Sequence, residues 1–163
     1  MTAELNITEP GQIAVESPEE IRSKILYLES VIAQQPGSFL GDNQSCPLKH
    51  SFANGIYMRE IFIPAGTVLT GKIHRHSHPN VLLEGEVVVA TESGGVELLK
   101  APMAMISPAK TKRAVYAQTD CRWITFHNVG EERNLEVIED IVISKSYEEL
   151  EIKQIEKESQ CPG

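Results

Sequence analysis

No apolar run in this sequence approaches the roughly 20 residues of a transmembrane helix, so no membrane-spanning helix is expected. The N-terminus, MTAELNITEP, has neither a basic region nor an apolar core, and no secretory signal is visible. Cysteine is sparse: Cys46, Cys121 and Cys161 are 3 in number, widely spaced, and include no C-x-x-C pair. That argues against a disulfide framework and for a reduced, cytoplasmic setting. Basic residues are few, 15 against 23 acidic ones, for a net charge of −8. The nearest thing to a basic cluster, Lys110, Lys112 and Arg113, is short. A nucleic-acid partner is not expected, because a phosphate backbone demands cations. The acidity reads as solubility. Internal repeats and low-complexity tracts are absent. So are a Ser-His-Asp arrangement, a phosphate loop and a nucleotide-binding fingerprint.

What is there is ordinary globular composition, 41% apolar and 23% charged over 163 residues, enough for one domain with a real core. Residues 1–16 read as a polar, loosely docked arm. Ser17-Pro18-Glu19-Glu20 is a helix start, with Ser17 as cap, Pro18 at the first helical position and Glu20 closing a capping box. Ile21, Ile25, Leu28 and Ile32 form one helical stripe that must pack on the body or on a second copy. Pro36-Gly37 ends the helix, and residues 36–50 read as a long loop with His50 at its end. From Ser51 the pattern is β. Strands are expected at 57–63, 67–76, 81–83, 86–90, 96–99, 104–106, 113–117, 122–127 and 135–144, with a hairpin turn at Ser93-Gly94-Gly95. Residues 147–156 suit a short amphipathic helix. Many short strands with Gly and Pro turns indicate a sandwich or barrel. The division expected is an arm, helix and loop over 1–50, a β-barrel over 51–145, and a helix and tail over 146–163.

Three of the 5 histidines, His74, His76 and His78, alternate within residues 67–89. Residues two apart on a strand share a face, so one strand would present all three imidazoles together. Pro79-Asn80 is a turn signal just after them. Such a face makes a metal site, a proton-handling site, or simply a partly exposed polar mouth. On a straight strand His74 and His78 stand about 13 Å apart, far beyond one ion's reach at about 2 Å per bond. Neighbouring pairs share an ion readily; the outer two do so only if the chain bends. His127, at the end of the strand over 122–127, is a further candidate ligand. Imidazole ligands do not choose among Fe, Mn, Ni and Zn. Lys72 falls on the histidine face and Arg113 follows the turn at 107–112; each is a candidate for an anionic ligand or for an ordinary salt bridge. Tyr116 and Trp123 are candidate pocket-lining residues, with core packing the bland alternative.

A glycine-led strand, alternating histidines, an apolar run into Glu84-Gly85-Glu86, and a second block with Pro108 and small residues resemble the cupin superfamily, over about residues 55 to 128. The motifs in question are G-x5-H-x-H-x3/4-E-x6-G and G-x5-P-x-G-x2-H-x3-N. The resemblance implies an all-β, single-domain jelly-roll barrel that holds a divalent metal inside and tends to form homodimers. Counted back from Gly85, His78 falls at the motif glutamate. In the second block Pro108 matches, Lys110 replaces the glycine, and Arg113 stands at the motif histidine, where an arginine cannot ligate a cation. The segments HSFANGIYMREIFIPAGTVLTGKIHRHSHPN, APMAMISPAKTKRAVYA and CRWITFHNV are also similar to small bacteriophage cupin-like proteins, which implies a phage or prophage origin and, for such a protein, a virion-associated alternative to the cytoplasm. Three functions stay open at this point: a metal-dependent small-molecule cupin, a metal-free module in which Lys72 and Arg113 meet an anion, and a structural phage protein.

Overall fold

The computed structural model describes residues 16–40 and 44–159. The expected N-terminal arm, apart from its last residue, and the tail with Cys161 lie outside the described residues. Among the described residues three helices and eleven strands follow one another as α1 (Pro18–Ala33), β1 (Leu48–Ala53), β2 (Ile56–Ile63), β3 (Val68–Thr70), β4 (Ile73–His74), β5 (His78–Glu84), β6 (Glu86–Thr91), β7 (Gly95–Lys100), β8 (Met103–Ser107), β9 (Arg113–Ala117), β10 (Cys121–Asn128), α2 (Leu135–Val142), β11 (Ile143–Ser144) and α3 (Tyr147–Ser159). One antiparallel sheet runs β1-β2-β10-β5-β8 and a second runs β3-β9-β6-β7; β4 pairs with β11 apart from both. The arrangement resembles a cupin jelly roll. Among the described residues no helix is long and apolar enough to cross a membrane.

The core is what alternation on both sheets buries. Ile63, Leu82, Cys121 and Trp123 come from the first sheet, and Val87, Val89, Leu99, Val115 and Ala117 from the second. Each is an inward residue of its strand, its neighbours turning the other way. On β10 this settles a choice that periodicity left open: Trp123 and His127 are buried, so their face is the inner one. Gly85 joins β5 to β6 with φ +90°; a Cβ there would meet the Asp120 carbonyl at 2.3 Å and Cys121 Sγ at 2.5 Å. Only glycine fits that approach.

The helix α1 forms as expected. Ser17 Oγ accepts from Glu20 N–H and the Glu20 carboxylate accepts from Ser17 N–H, a complete capping box with Pro18 inside it. The first half of its stripe is covered within the chain: Ile21 and Ile25 are buried, Leu28 and Ile32 half-buried. Ion pairs fasten it, Lys112 to Glu29 at 2.6 Å and Arg22 to Glu92 at 2.7 Å, and Tyr147 donates to Glu92 as well.

Four local expectations need correcting. Residues 135–144 are strand only at the last two positions: Asn134 Oδ1 accepts from Glu136 and Val137 N–H, and this cap starts α2, which buries Ile138 and Val142 four residues apart. A helix thus stands between β10 and β11, and the chain is not all-β. The loop over 36–50 gives way to strand at Leu48, which pairs with Ile61. The expected strand over 67–76 is broken into β3 and β4 at Gly71-Lys72, where Gly71 N–H turns aside to the Arg113 carbonyl at 2.8 Å. Pro79-Asn80 is not a turn but part of β5. Pro79 pairs with Ile106 of β8, whereas pairing with β10 begins only at Asn80. The missing N–H therefore falls where one side of the strand has no ladder to feed.

Candidate metal centre

The bend that the histidines require lies before His78. The chain leaves β4 at His74, turns through Arg75, His76 and Ser77, and re-enters a sheet at His78. The turn is tied down from the C-terminal side. β11 pairs Ile143 with His74, Arg75 N–H donates to the Val142 carbonyl at 2.8 Å, and the Arg75 guanidinium reaches Glu149 at 2.6 Å. Glu149 also accepts from Ser144 Oγ and from Lys145 N–H. Those contacts, the Lys145 N–H foremost and Arg75 next, hold its carboxyl well below the usual range. The segment that was expected to be one plain strand is therefore the brace for His74.

The result brings together the two outer histidines and His127. Ring centroids lie 4.2 Å apart for His74 and His78, 4.6 Å for His78 and His127, and 5.3 Å for His74 and His127. One nitrogen from each lies within 4.8 Å of the others. His78 Nδ1 faces the His76 carbonyl at 3.3 Å; a carbonyl only accepts, so Nδ1 carries the proton. That leaves Nε2 with its lone pair, buried and without a hydrogen-bond partner among the described residues. His127 Nε2 contacts Thr125 Oγ1 at 3.1 Å, and Thr125 Oγ1 also lies 3.5 Å from the Arg59 carbonyl.

Electrostatics keeps these rings neutral. Burial is the main cause in each case. The pKa of His74 falls from 6.5 to about 2, helped by His78, His127, Arg113 and Arg59. His127 falls to about 3 by burial, His78 and Arg59. His78 is lowered by burial, which outweighs the opposing pull of the His76 carbonyl, and Arg113 adds a lesser lowering. Three neutral imidazoles with converging nitrogens are the donor set of a borderline divalent ion, and a metal ligand must be deprotonated.

Around the cluster lies a buried polar chain. Trp123 Nε1 donates to Asn80 Oδ1 at 2.8 Å, Asn80 Nδ2 donates to Ser107 Oγ at 2.8 Å, and Arg113 also donates to Ser107 Oγ. Asn80 is fully buried. On the other side Tyr57 stacks on His127 at 6.0 Å between centroids, and its hydroxyl meets His50 Nδ1 at 2.7 Å. A groove of about 520 Å³ opens the cluster to solvent past His76, His78, His127 and Val142.

Of the residues singled out in the sequence, His74, His78 and His127 converge, and Arg113 and Trp123 stand beside them. His76 is exposed at the mouth, outside the cluster, because the turn between β4 and β5 points it outward. Lys72 is exposed and paired with Glu139. Tyr116, 44% exposed, alternates out of the interior between buried Val115 and Ala117. Asn80, Ser107, Tyr57 and Arg59 were not anticipated as neighbours of a site. Alternation offered one clue, since His78 and Asn80 share a face of β5, as Tyr57 and Arg59 share one of β2.

No protein-family model and no curated protein matches this sequence. Solved structures do match in fold. An ectoine synthase from P. lautus is 17% identical over 64% of this chain and 78% of its own, with a TM-score of 0.51. A salicylate 1,2-dioxygenase variant from Pseudoaminobacter salicylatoxidans is 14% identical over 82% of this chain and 42% of its own, with a TM-score of 0.50. A cupin superfamily protein from Desulfitobacterium hafniense DCB-2 is 10% identical over 59% of this chain and 92% of its own, with a TM-score of 0.45. At such identities the likeness to the first two is one of fold alone: the chain has antiparallel sheets resembling a jelly roll, around a cluster of three histidines.

Proposed function

We propose that this protein binds one divalent transition metal through His74, His78 and His127 and that a small molecule reaches it through the groove past His76. Two observations carry the reading together: His78 Nε2 is a buried lone pair with no partner among the described residues, and one nitrogen from each of the three histidines lies within 4.8 Å of the others. Leaving such an atom unmatched is costly, and a metal bond satisfies it. Bound there, Fe, Mn, Ni or Zn supplies Lewis acidity or activates water or oxygen. The chain's own part is to hold the imidazoles neutral, to orient His78 through its Nδ1–H, and to shield the site from solvent with Tyr57, Trp123 and α2. Residues 51–145 carry this site as the working unit. The likeness of three segments to bacteriophage cupin-like proteins concerns origin and carries no chemistry.

The test is metal content by mass spectrometry on untagged protein dialysed without chelator. We expect about one metal per chain, lost in His78→Ala and kept in His76→Ala. Protein that neither carries metal nor takes it up from added Fe, Mn, Ni or Zn sinks the reading.

A further inference from the structure

Arg113, half-buried, points inward a charge that no carboxylate among the described residues answers. It lies on the inward face of β9 with the buried Val115 and Ala117. Its guanidinium donates to Ser107 Oγ and sits over the Trp123 ring, with Cζ 5.2 Å from the centroid. Ser107 is the register partner of His78, so this cation stands one cross-strand pair from the histidine cluster. Gly71 makes the room: a Cβ there would come within 3.2 Å of Arg113 Cγ. Among the described residues no carboxylate pairs with Arg113; its partners are a hydroxyl and an aromatic face. Desolvation works against the charge, and the guanidinium stays protonated all the same. The three imidazoles are neutral and bring no negative charge, either to Arg113 or to a divalent ion. A cation taken out of water without a counter-charge is expensive. An arginine in this state is half of an ion pair.

We propose that the small molecule taken by this site is an oxyanion, a carboxylate or a phosphate, bound beside the histidine cluster with Arg113 as its counter-ion. The inference rests on the cluster being the ligand site proposed above. The planar guanidinium presents its N–H groups in a fork that matches the paired oxygens of either anion. The bound oxyanion also brings the negative charge that a three-histidine divalent centre lacks.

Calorimetric titration with malonate, and separately with inorganic phosphate, tests this at constant ionic strength in chloride. It is run on chelator-stripped protein and on the same protein reloaded with Zn²⁺. We expect one or both probes to bind, and the one preferred names the anion. Arg113→Met should weaken binding by about 10- to 100-fold, the worth of a charge-assisted contact. Arg113→Lys, which keeps the charge and loses the fork, should fall in between. Lys72→Met, which removes an exposed cation already paired with Glu139, should bind as the parent does. Circular dichroism confirms that each variant is folded, and Arg113→Lys decides the matter if Arg113→Met is not. Absence of binding in both metal states, or undiminished binding by a folded Arg113 variant, overturns the inference. Zn²⁺ uptake without anion binding rejects this inference alone. Anion binding through Arg113 without Zn²⁺ uptake rejects the metal reading alone.

Discussion

Protonating His74 places a charge in a desolvated cluster beside two further imidazoles and within the field of Arg113 and Arg59. Its folded pKa lies near 2 and that of His127 near 3, against 6.5 for the ordinary side chain. The unfolded chain therefore binds protons that the folded chain refuses, and stability rises with pH across this interval. These groups contribute no penalty well above pH 6.5, and the penalty accrues as pH falls below it. Carboxylates with lowered pKa, such as Glu149, respond only below their ordinary 4.5, so from pH 6.5 down to 4.5 the histidines act without them. Urea unfolding of chelated protein from pH 7.5 to 4.5 should show the loss, at most about 1.4 kcal/mol per pH unit for each such histidine. His74→Gln should make the slope shallower by about one proton; an unchanged slope would mean that His74 is already solvated. Gly85 makes a different demand, for backbone room rather than neutrality. Gly85→Ala should destabilise by more than about 1 kcal/mol, because both its positive φ and the approach of Asp120 exclude a Cβ. Thermal melting checks this.

At the scale of elements, the segment after β10 holds the site's geometry. The helix α2 packs Ile138 and Val142 with Tyr57 and Val129 beside the cluster, and β11 then pairs with His74. Removing the cap in Asn134→Ala should cost about 1 kcal/mol of stability. It should also weaken Zn²⁺ binding, since the brace on β4 loosens with the helix. Metal competition against a chromophoric chelator reads the second effect. Lost stability with unchanged Zn²⁺ affinity would show that β4 holds His74 without help from α2.

For the whole molecule the two sheets share one core, and the three histidines come from β4, β5 and β10, brought together only when that core forms. A metal bound by such a set stabilises the folded state by mass action, about 2.7 kcal/mol at one hundred times the dissociation constant. Excess chelator should lower the melting temperature of loaded wild-type protein and leave His78→Ala where it was. A melting temperature indifferent to chelator in both would leave the cluster as a buried polar junction. Leu82 is fully buried in the shared core, and Leu82→Ala should cost about 2–5 kcal/mol and release metal in the same transition.

Much of this was legible in the chain itself. The capping box at Ser17, the β character from Ser51 on, the hairpin at Ser93-Gly94-Gly95, and His74, His78 and His127 as candidate ligands follow from local rules, because caps, alternation and turn residues act within a few positions. The rest was not local. Leu135 to Ser144 alternates imperfectly, and the cap at Asn134 together with burial against Tyr57 makes most of it a helix. His74, His76 and His78 look equivalent in the sequence, yet the turn at 75–77 joins the outer two and expels the middle one. Which face of β10 points inward, and that Arg113 enters the interior while Lys72 and Tyr116 do not, depended on how the sheets stack. Periodicity says which residues share a face and never which face is covered. Sequence alone thus determined the elements and the chemistry available; tertiary packing decided which of those side chains meet around one cluster and which face outward.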